Sequence, residues 1–486
     1  MILHPFDLLA VSLYGLFLVM ITVLSARNAH SFRSFSLADG DMPWGAVGVS
    51  LIATSISAST FLGSPADVYV HDMRYLMLQF GVLLSLPIVW FFFIPALRKA
   101  EIPSAYALLE KTFGATTRKL AALFYIANTL LRTSILIYGP SWVFAEIFNI
   151  PVTAAILLVA AVSILYTWFG GLKAVIWTDV LQFLVLFFAG IASLIIIMDA
   201  LGGPISFWHA VQESPKSHWW DSRFALSDPR TIWAATFGYV FYELAFRGCD
   251  QQFVQRYLAC KSVKQANFSS LLSIVLGFLS TLLFFFIGAG LFLFFQQQRF
   301  PLPPGTPGDR VFPWFIAHHL PPGLTGLVLA GLFSAAMSSL DSAMSALSHT
   351  VMLEFSNRPP SKEASRRWVL LWGLLGTAGA MFCIYWNDSL LTKAYTLTSF
   401  FIGPLLAMFL MAFFLPFLKG PAVTLGCLFG ALTLLALSPP AFLPWAGHPW
   451  HPAWPFHPLI STVASLAFSL FFHATLFKGN QLKKIP

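Results

Sequence analysis

Residues 50–69 read SLIATSISASTFLGSPADVY, a stretch that begins as an apolar helix and does not continue as one. Its length matches the roughly 20 residues needed to cross a bilayer core. Yet it carries a run of hydroxyls, Ser55, Ser57, Ser59 and Thr60, followed by Gly63 and Pro65. Glycine loosens a helix and proline removes a backbone donor, so a break that frees carbonyl groups is expected here. Freed backbone groups at membrane depth are tolerated only beside a cavity or inside packed protein. A second stretch of this kind is FGYVFYELAFRGCDQQ, residues 237–252, with Glu243, Arg247 and Gly248 inside an otherwise apolar run.

The surrounding chain fixes the solvent. Of 486 residues 57% are hydrophobic and 10% charged, and the mean hydropathy is +0.75. A soluble domain could not bury that much apolar surface, so the chain is expected to be an all-α polytopic membrane protein. Thirteen apolar spans are legible: roughly 5–25, 44–69, 75–97, 119–147, 151–170, 174–200, 231–253, 268–296, 322–348, 366–386, 395–417, 420–438 and 457–477. The first is too long and uniformly apolar for a cleaved signal and is read as a retained helix. Cys249, Cys260, Cys383 and Cys427 occur singly, without metal or redox spacing.

The net charge of +8 reports topology before it reports a partner. With the N-terminus outside and the C-terminus inside, most basic residues fall in cytoplasmic loops, among them Arg27, Arg33, Arg98, Lys99, Lys111, Arg118, Arg256, Lys261, Arg358 and Lys483. No nucleic-acid partner is implied. The partners expected are the lipid bilayer and a small solute, and the oligomeric state stays open. In this orientation spans two and seven start on opposite sides and each opens a set of five spans. That gives two halves of inverted topology, each beginning with a broken helix, an arrangement found in secondary transporters. The organisation expected is an N-terminal helix and loop (1–43), a first repeat (44–200), an outer loop (201–230), a second repeat (231–417) and two C-terminal helices with a short tail (418–486). The outer segment PWAGHPWHPAWPFHP, residues 444–458, sets a metal reading through His448, His451 and His457 against a tryptophan belt at the headgroups, and the belt is preferred.

Span nine contains the chemistry. Ser338, Asp341, Ser342 and Ser345 recur at i, i+3, i+4 and i+7 and so share one helix face. Such a row of oxygens suits a small hard cation. Serines that merely permit close helix packing are the alternative. It leaves Asp341 unexplained, because a carboxylate at the bilayer centre costs about 2.5–3.5 kcal/mol on insertion scales. Arg132 lies too deep in span four to reach water. It needs an anion, either an internal one (Glu243 and Asp341 are candidates) or a solute carboxylate held bidentately. Asp179, near the cytoplasmic end of span six, is open to reading as a helix cap.

PSAYALLEKTFG (103–114), YTWFGGLKAVIWTDVLQ (166–182), DQQFVQRYLACKS (250–262) and LAGLFSAAMSSLDSAMSAL (329–347) together resemble the sodium:solute symporter family over at least the first eleven spans. The resemblance implies a LeuT-like 5+5 inverted-repeat core with about 13 transmembrane helices. It implies Na⁺ as coupling ion, at a main site made by the carbonyls of Ala53, Ile56 and Ala335 and the hydroxyls of Ser338 and Ser339. Residues matching a second sodium site of the sialic acid branch are Asp179, Ser338, Asp341 and Ser342. Aspartate at 341 departs from that pattern and leaves three occupants open: a second Na⁺, a proton, or an internal ion pair. The positions matching solute contacts are Ser55, Ser57, Thr60, Gln79 and Arg132. The function implied is Na⁺-coupled import, across the cytoplasmic membrane, of a small organic anion by alternating access. Sialic acid, another sugar acid or a monocarboxylate would fit, and a neutral sugar, amino acid or vitamin is the alternative. Neither an HExxH motif nor a nucleophile elbow supports an enzyme. The tail KGNQLKKIP is too short for the signalling domain of a transporter-like sensor.

Overall fold

In lipid a backbone must satisfy its own hydrogen bonds, which leaves an apolar chain of this kind little choice but helix. The computed structural model describes residues 4–26, 37–99, 104–148, 150–169, 171–296, 302–356, 359–385, 390–438 and 452–477. No strand occurs among them; one isolated bridge joins Met42 and Cys260. The loop residues Arg27, Arg33, Arg358 and Lys483, and His448 and His451 of the Trp/Pro segment, lie outside the described residues. His457 is buried and its Nε2 pairs with the Pro452 carbonyl at 3.0 Å.

Helical structure stands at each of the thirteen expected spans. The first half comprises α1 (Pro5–Ala26), the pair α2 (Trp44–Ser55) and α3 (Ala58–Val70), α4 (Arg74–Lys99), the short connecting α5 (Ala107–Phe113), α6 (Ala115–Phe148), α7 (Val152–Phe169) and α8 (Leu172–Ala200). A connecting helix, α9 (Pro204–Glu213), leads to the second broken span, α10 (Tyr239–Cys249) and α11 (Gln251–Ala259). Then follow α12 (Val263–Gln296), the connecting α13 (Gly308–His319), α14 (Leu324–Glu354), α15 (Lys362–Cys383), α16 (Leu390–Phe414), α17 (Gly420–Leu437) and α18 (His457–Phe477). By length and apolarity eight of the described helices can cross a bilayer alone, or nine with the bent α2/α3 pair.

Burial sorts these helices. The apolar window of α14 is 89% buried within the protein, against 17% for α1 and 22% for the last span. Helix α14 is therefore the axis of the bundle, whereas α1 presents Phe6, Leu9, Leu16 and Val19 outward, as lipid requires. Trp208, Trp219 and Trp220, in the segment between spans six and seven, are also exposed, consistent with an interfacial belt.

Both broken spans are present, but the breaks fall elsewhere than the sequence suggests. In the first, α2 ends at Ser55, Ile56 and Ser57 are extended (ψ 111° and 175°), and α3 leaves at 56°. Gly63 and Pro65 lie inside α3 and do not cause the break. Pro65 is instead a packing surface: a Cβ on Gly288 of α12 would come within 2.5 Å of its carbonyl oxygen. In the second, the break is at Asp250 (ψ 125°), whose side chain caps α11 by accepting from the Gln252 amide. Gly248 is helical, and is needed because any Cβ there would meet the Phe93 ring at 2.5 Å.

Candidate functional site

The break between α2 and α3 leaves carbonyls at the end of α2 that no later turn can claim. They face the hydroxyl row of α14. The Ser338 hydroxyl donates to the Ala53 carbonyl at 2.9 Å and lies 3.5 Å from that of Ala335; the Ser339 hydroxyl donates to the Thr54 carbonyl at 3.2 Å and lies 3.5 Å from that of Ile56. All five expected main-site ligands therefore converge on one junction, which is buried throughout. A narrow void beside it is lined by Ala53, Ile56, Ser334, Ser338, Phe183 and Gln182. The set consists of neutral oxygens from carbonyl and hydroxyl groups, the donor chemistry a hard cation takes. The cation would enter by displacing these weak hydroxyl–carbonyl bonds.

The second group is organised by a residue that charge counting had placed in a cytoplasmic loop. Arg256, 1% exposed, lies on α11 inside the bundle. Its Nη2 donates to Asp179 Oδ2 at 2.9 Å and to the Ser342 hydroxyl at 2.6 Å, and its Nε donates to the Ser50 hydroxyl at 2.7 Å. Ser50 in turn donates to Asp179 Oδ2 at 2.5 Å. Asp179 is thus one half of a fully buried ion pair and not a helix cap; Gly171 precedes its helix and no side chain caps it. Asp341 takes no part in an ion pair among the described residues. Its Oδ1 accepts from the Ser342 amide at 2.6 Å, and its buried Oδ2 has no hydrogen-bond partner.

Arg132 joins the two breaks. Its Nη2 donates to the Thr54 carbonyl at 3.0 Å, at the end of α2, while Nη1 is 3.9 Å from Asp250 Oδ2, at the break of the second span. The guanidinium also lies over the Phe246 ring at 4.6 Å. The internal anion beside Arg132 is therefore Asp250, and neither Glu243 nor Asp341. Glu243 pairs with Arg247 one helical turn away, at 2.6 Å. The remaining expected solute contacts are dispersed. Ser55 donates to its own helix at Leu51, Ser57 precedes α3, and Thr60 is half-buried in its first turn. Gln79 on α4 donates to Thr281 on α12 at 3.1 Å. Among the described residues Gln79 and Arg132 share no hydrogen bond, so these residues are joined by the break itself and not by mutual contacts.

Three comparisons bear on this arrangement. A model of the sodium:solute symporter family matches residues 35–430. The sodium/sialic acid symporter of Proteus mirabilis is 28% identical over 86% of each chain. The sodium-dependent multivitamin transporter of Oryctolagus cuniculus is 29% identical over 88% of this chain and 70% of that one. Among solved structures, the substrate-bound, outward-open state of a Na⁺-coupled sialic acid symporter superimposes with a TM-score of 0.87 at 25% identity, covering 98% of both chains.

Proposed function

The chain belongs to the sodium:solute symporter family, and on that premise we propose that it imports a small organic anion, a sugar acid such as sialic acid or another monocarboxylate. It is a sodium-coupled secondary transporter of small molecules, embedded in a membrane by many helices, and not an enzyme. The observation that carries the solute reading is the placement of Arg132 against the same broken segment whose carbonyls face Ser338 and Ser339.

Sodium is cargo here. Held by Ala53, Ile56, Ala335, Ser338 and Ser339, it would pin the α2/α3 break to α14 and so fix the carbonyl that orients Arg132. A solute carboxylate on Arg132 would in turn steady the break, which makes the two affinities mutually dependent. Ser55, Ser57, Thr60 and Gln79 would take the polar groups of the solute, since unmatched buried donors weaken binding. At the second group, Arg256 already supplies a positive charge between Asp179 and Ser342. This supports Asp341, with its free oxygen, as the carboxylate for any second Na⁺ or proton. The basic loops support an orientation with the N-terminus outside and the C-terminus inside the cytoplasmic membrane, with residues 44–200 and 231–417 as the inverted halves.

Asp250 favours one second reading, a neutral solute, because its carboxylate beside Arg132 could neutralise the guanidinium. Competition against labelled N-acetylneuraminate by acids and neutral sugars distinguishes the two, using wild type, Arg132→Ala and Arg132→Lys. Acids alone should compete, and the alanine variant should lose affinity by about 10- to 100-fold, the worth of a charge-assisted hydrogen bond. Equal competition by neutral sugars, with unchanged binding in Arg132→Ala, would sink the anion assignment.

A further inference from the structure

Helix α1 precedes the two halves of the chain, yet it is fastened to the axis helix α14 at successive turns. Asp7 Oδ1 accepts from the Gly323 and Gly326 amides at 2.7 and 2.9 Å, capping the first turn of α14 from another helix. About two turns further along α1, Tyr14 and Leu18 pack with Ala330 and Met337 of α14. The Tyr14 hydroxyl there meets the side chains of Ser334 on α14 and Gln182 on α8. All three residues are buried. Ser334 and Gln182 also line the narrow void shared by Ala53, Ile56 and Ser338. Tyr14 therefore reaches the proposed sodium junction from behind.

Donor counting decides which way the Gln182 amide is turned. The Ser334 hydroxyl donates its one hydrogen to the Ala330 carbonyl at 2.8 Å, so toward Tyr14 it only accepts. Tyr14 then donates its hydrogen to Ser334, and toward Gln182 its oxygen only accepts. The amide must present its NH₂ group to Tyr14, which leaves Oε1 for the void. Beyond Tyr14 the amide has no hydrogen-bond partner among the described residues, and a buried amide oxygen is nearly always met. The void is too narrow for a water molecule. A hard cation fits tighter spaces. Ca²⁺, close to Na⁺ in radius, sits about 2.3–2.6 Å from its oxygens, whereas hydrogen bonds between oxygens run about 2.7–2.8 Å. We propose that Gln182 Oε1 is a further oxygen ligand of sodium at the junction of α2 and α14, and that Tyr14 is the positioning residue that turns it there. The assignment rests on the sodium junction of the transport reading. It adds a neutral oxygen from α8, which supplies none of the five ligands named above.

Sodium binding to the purified protein, without solute, can be read from the rise of the thermal midpoint as NaCl replaces KCl at constant ionic strength, because a ligand of the folded state stabilises it by mass action. Gln182→Met keeps the side-chain length and loses the oxygen; Tyr14→Phe loses one hydroxyl and keeps the ring. Each should raise the apparent sodium Kd, Gln182→Met by about three- to tenfold and Tyr14→Phe by less. The double variant should match Gln182→Met alone, because Tyr14 acts through Gln182. Tyr14→Phe decides the matter by itself if Gln182→Met does not fold. An equal fall of the midpoint in KCl and NaCl, with the sodium Kd unchanged in the folded variants, overturns the proposal. Ser338→Ala in the same assay then shows how far the failure extends: a raised Kd leaves the junction standing without Gln182, and an unchanged Kd removes the junction as well. Additive shifts in the double variant overturn the positioning role of Tyr14.

Discussion

Ser338 and Ser339 can be replaced by alanine without opening a large void, and each forms hydrogen bonds of ordinary strength to the end of α2. Ser338→Ala and Ser339→Ala should therefore fold, while the sodium concentration needed for half-maximal uptake rises about three- to tenfold. An unchanged sodium requirement would remove these hydroxyls from the ion site. Arg256 behaves differently. Its removal strands Asp179 in a fully buried setting, and breaking such a pair from one side costs about 3–5 kcal/mol. Arg256→Leu should give little folded protein, and Asp179→Asn in the same chain should restore much of it, as read by thermal unfolding. A well-folded Arg256→Leu single variant would show that the pair carries no such weight. The hydroxyl row of α14 was legible in the sequence because the aspartate within it is costly in an apolar helix, and the structure sets that row against the freed carbonyls of α2. Arg256 was not. The stretch DQQFVQRYLACKS is polar enough to pass for a water-exposed loop, and only the packing of α11 among other helices shows that it is interior.

At the scale of elements, a helix break needs tertiary partners more than it needs glycine or proline. The hydroxyls of α14 satisfy the carbonyls that Ile56 and Ser57 free, so the chain breaks there and not at Gly63 or Pro65. The sequence revealed that span two is interrupted; the position of the interruption depends on side chains nearly 300 residues away. Proline still has a role, because α3 is seated by the close approach of Pro65 to Gly288. Gly288→Ala would force that contact apart, an overpacking cost of about 1–3 kcal/mol. The expected result is a lower thermal midpoint together with reduced uptake, since the half-helix that follows the break at Ile56 and Ser57 is displaced. A variant with wild-type melting and wild-type uptake would refute this role.

The whole molecule is tied at both ends of the broken spans. At one end, Arg230 pairs with Asp67 at the end of α3, and Arg74 joins Asp72 to Asp221 in the loop before span seven. At the other, Arg118 pairs with Glu354 at the end of α14, and Arg98 donates to the Tyr257 and Cys260 carbonyls at the end of α11. Thirteen spans and two breaks could be counted from hydropathy, but these ties could not, because they join residues far apart in the chain. Hydrogen bonds from Arg223, opposed by burial and reinforced by Arg74, hold the Asp221 carboxyl well below the usual carboxylate range. A carboxyl depressed in the folded state stabilises above its unfolded pKa of about 3.9 and loses that contribution as pH falls through the folded value. The thermal midpoint should accordingly stay flat between about pH 8 and pH 5 and drop below about pH 4. Asp221→Asn should lower the plateau and make the acid limb shallower. An acid limb unchanged by Asp221→Asn would assign it to other carboxylates.

Solute and sodium are proposed to move together through the junction of α2, α3 and α14. This coupling is tested most directly in proteoliposomes by following labelled N-acetylneuraminate and labelled sodium in the same vesicles, with K⁺ replacing Na⁺ as control. Each flux should require the other, their ratio should be constant, and both should fall in Ser338→Ala at limiting sodium. Solute entry at the same rate in K⁺, or sodium entry indifferent to the solute, would contradict it.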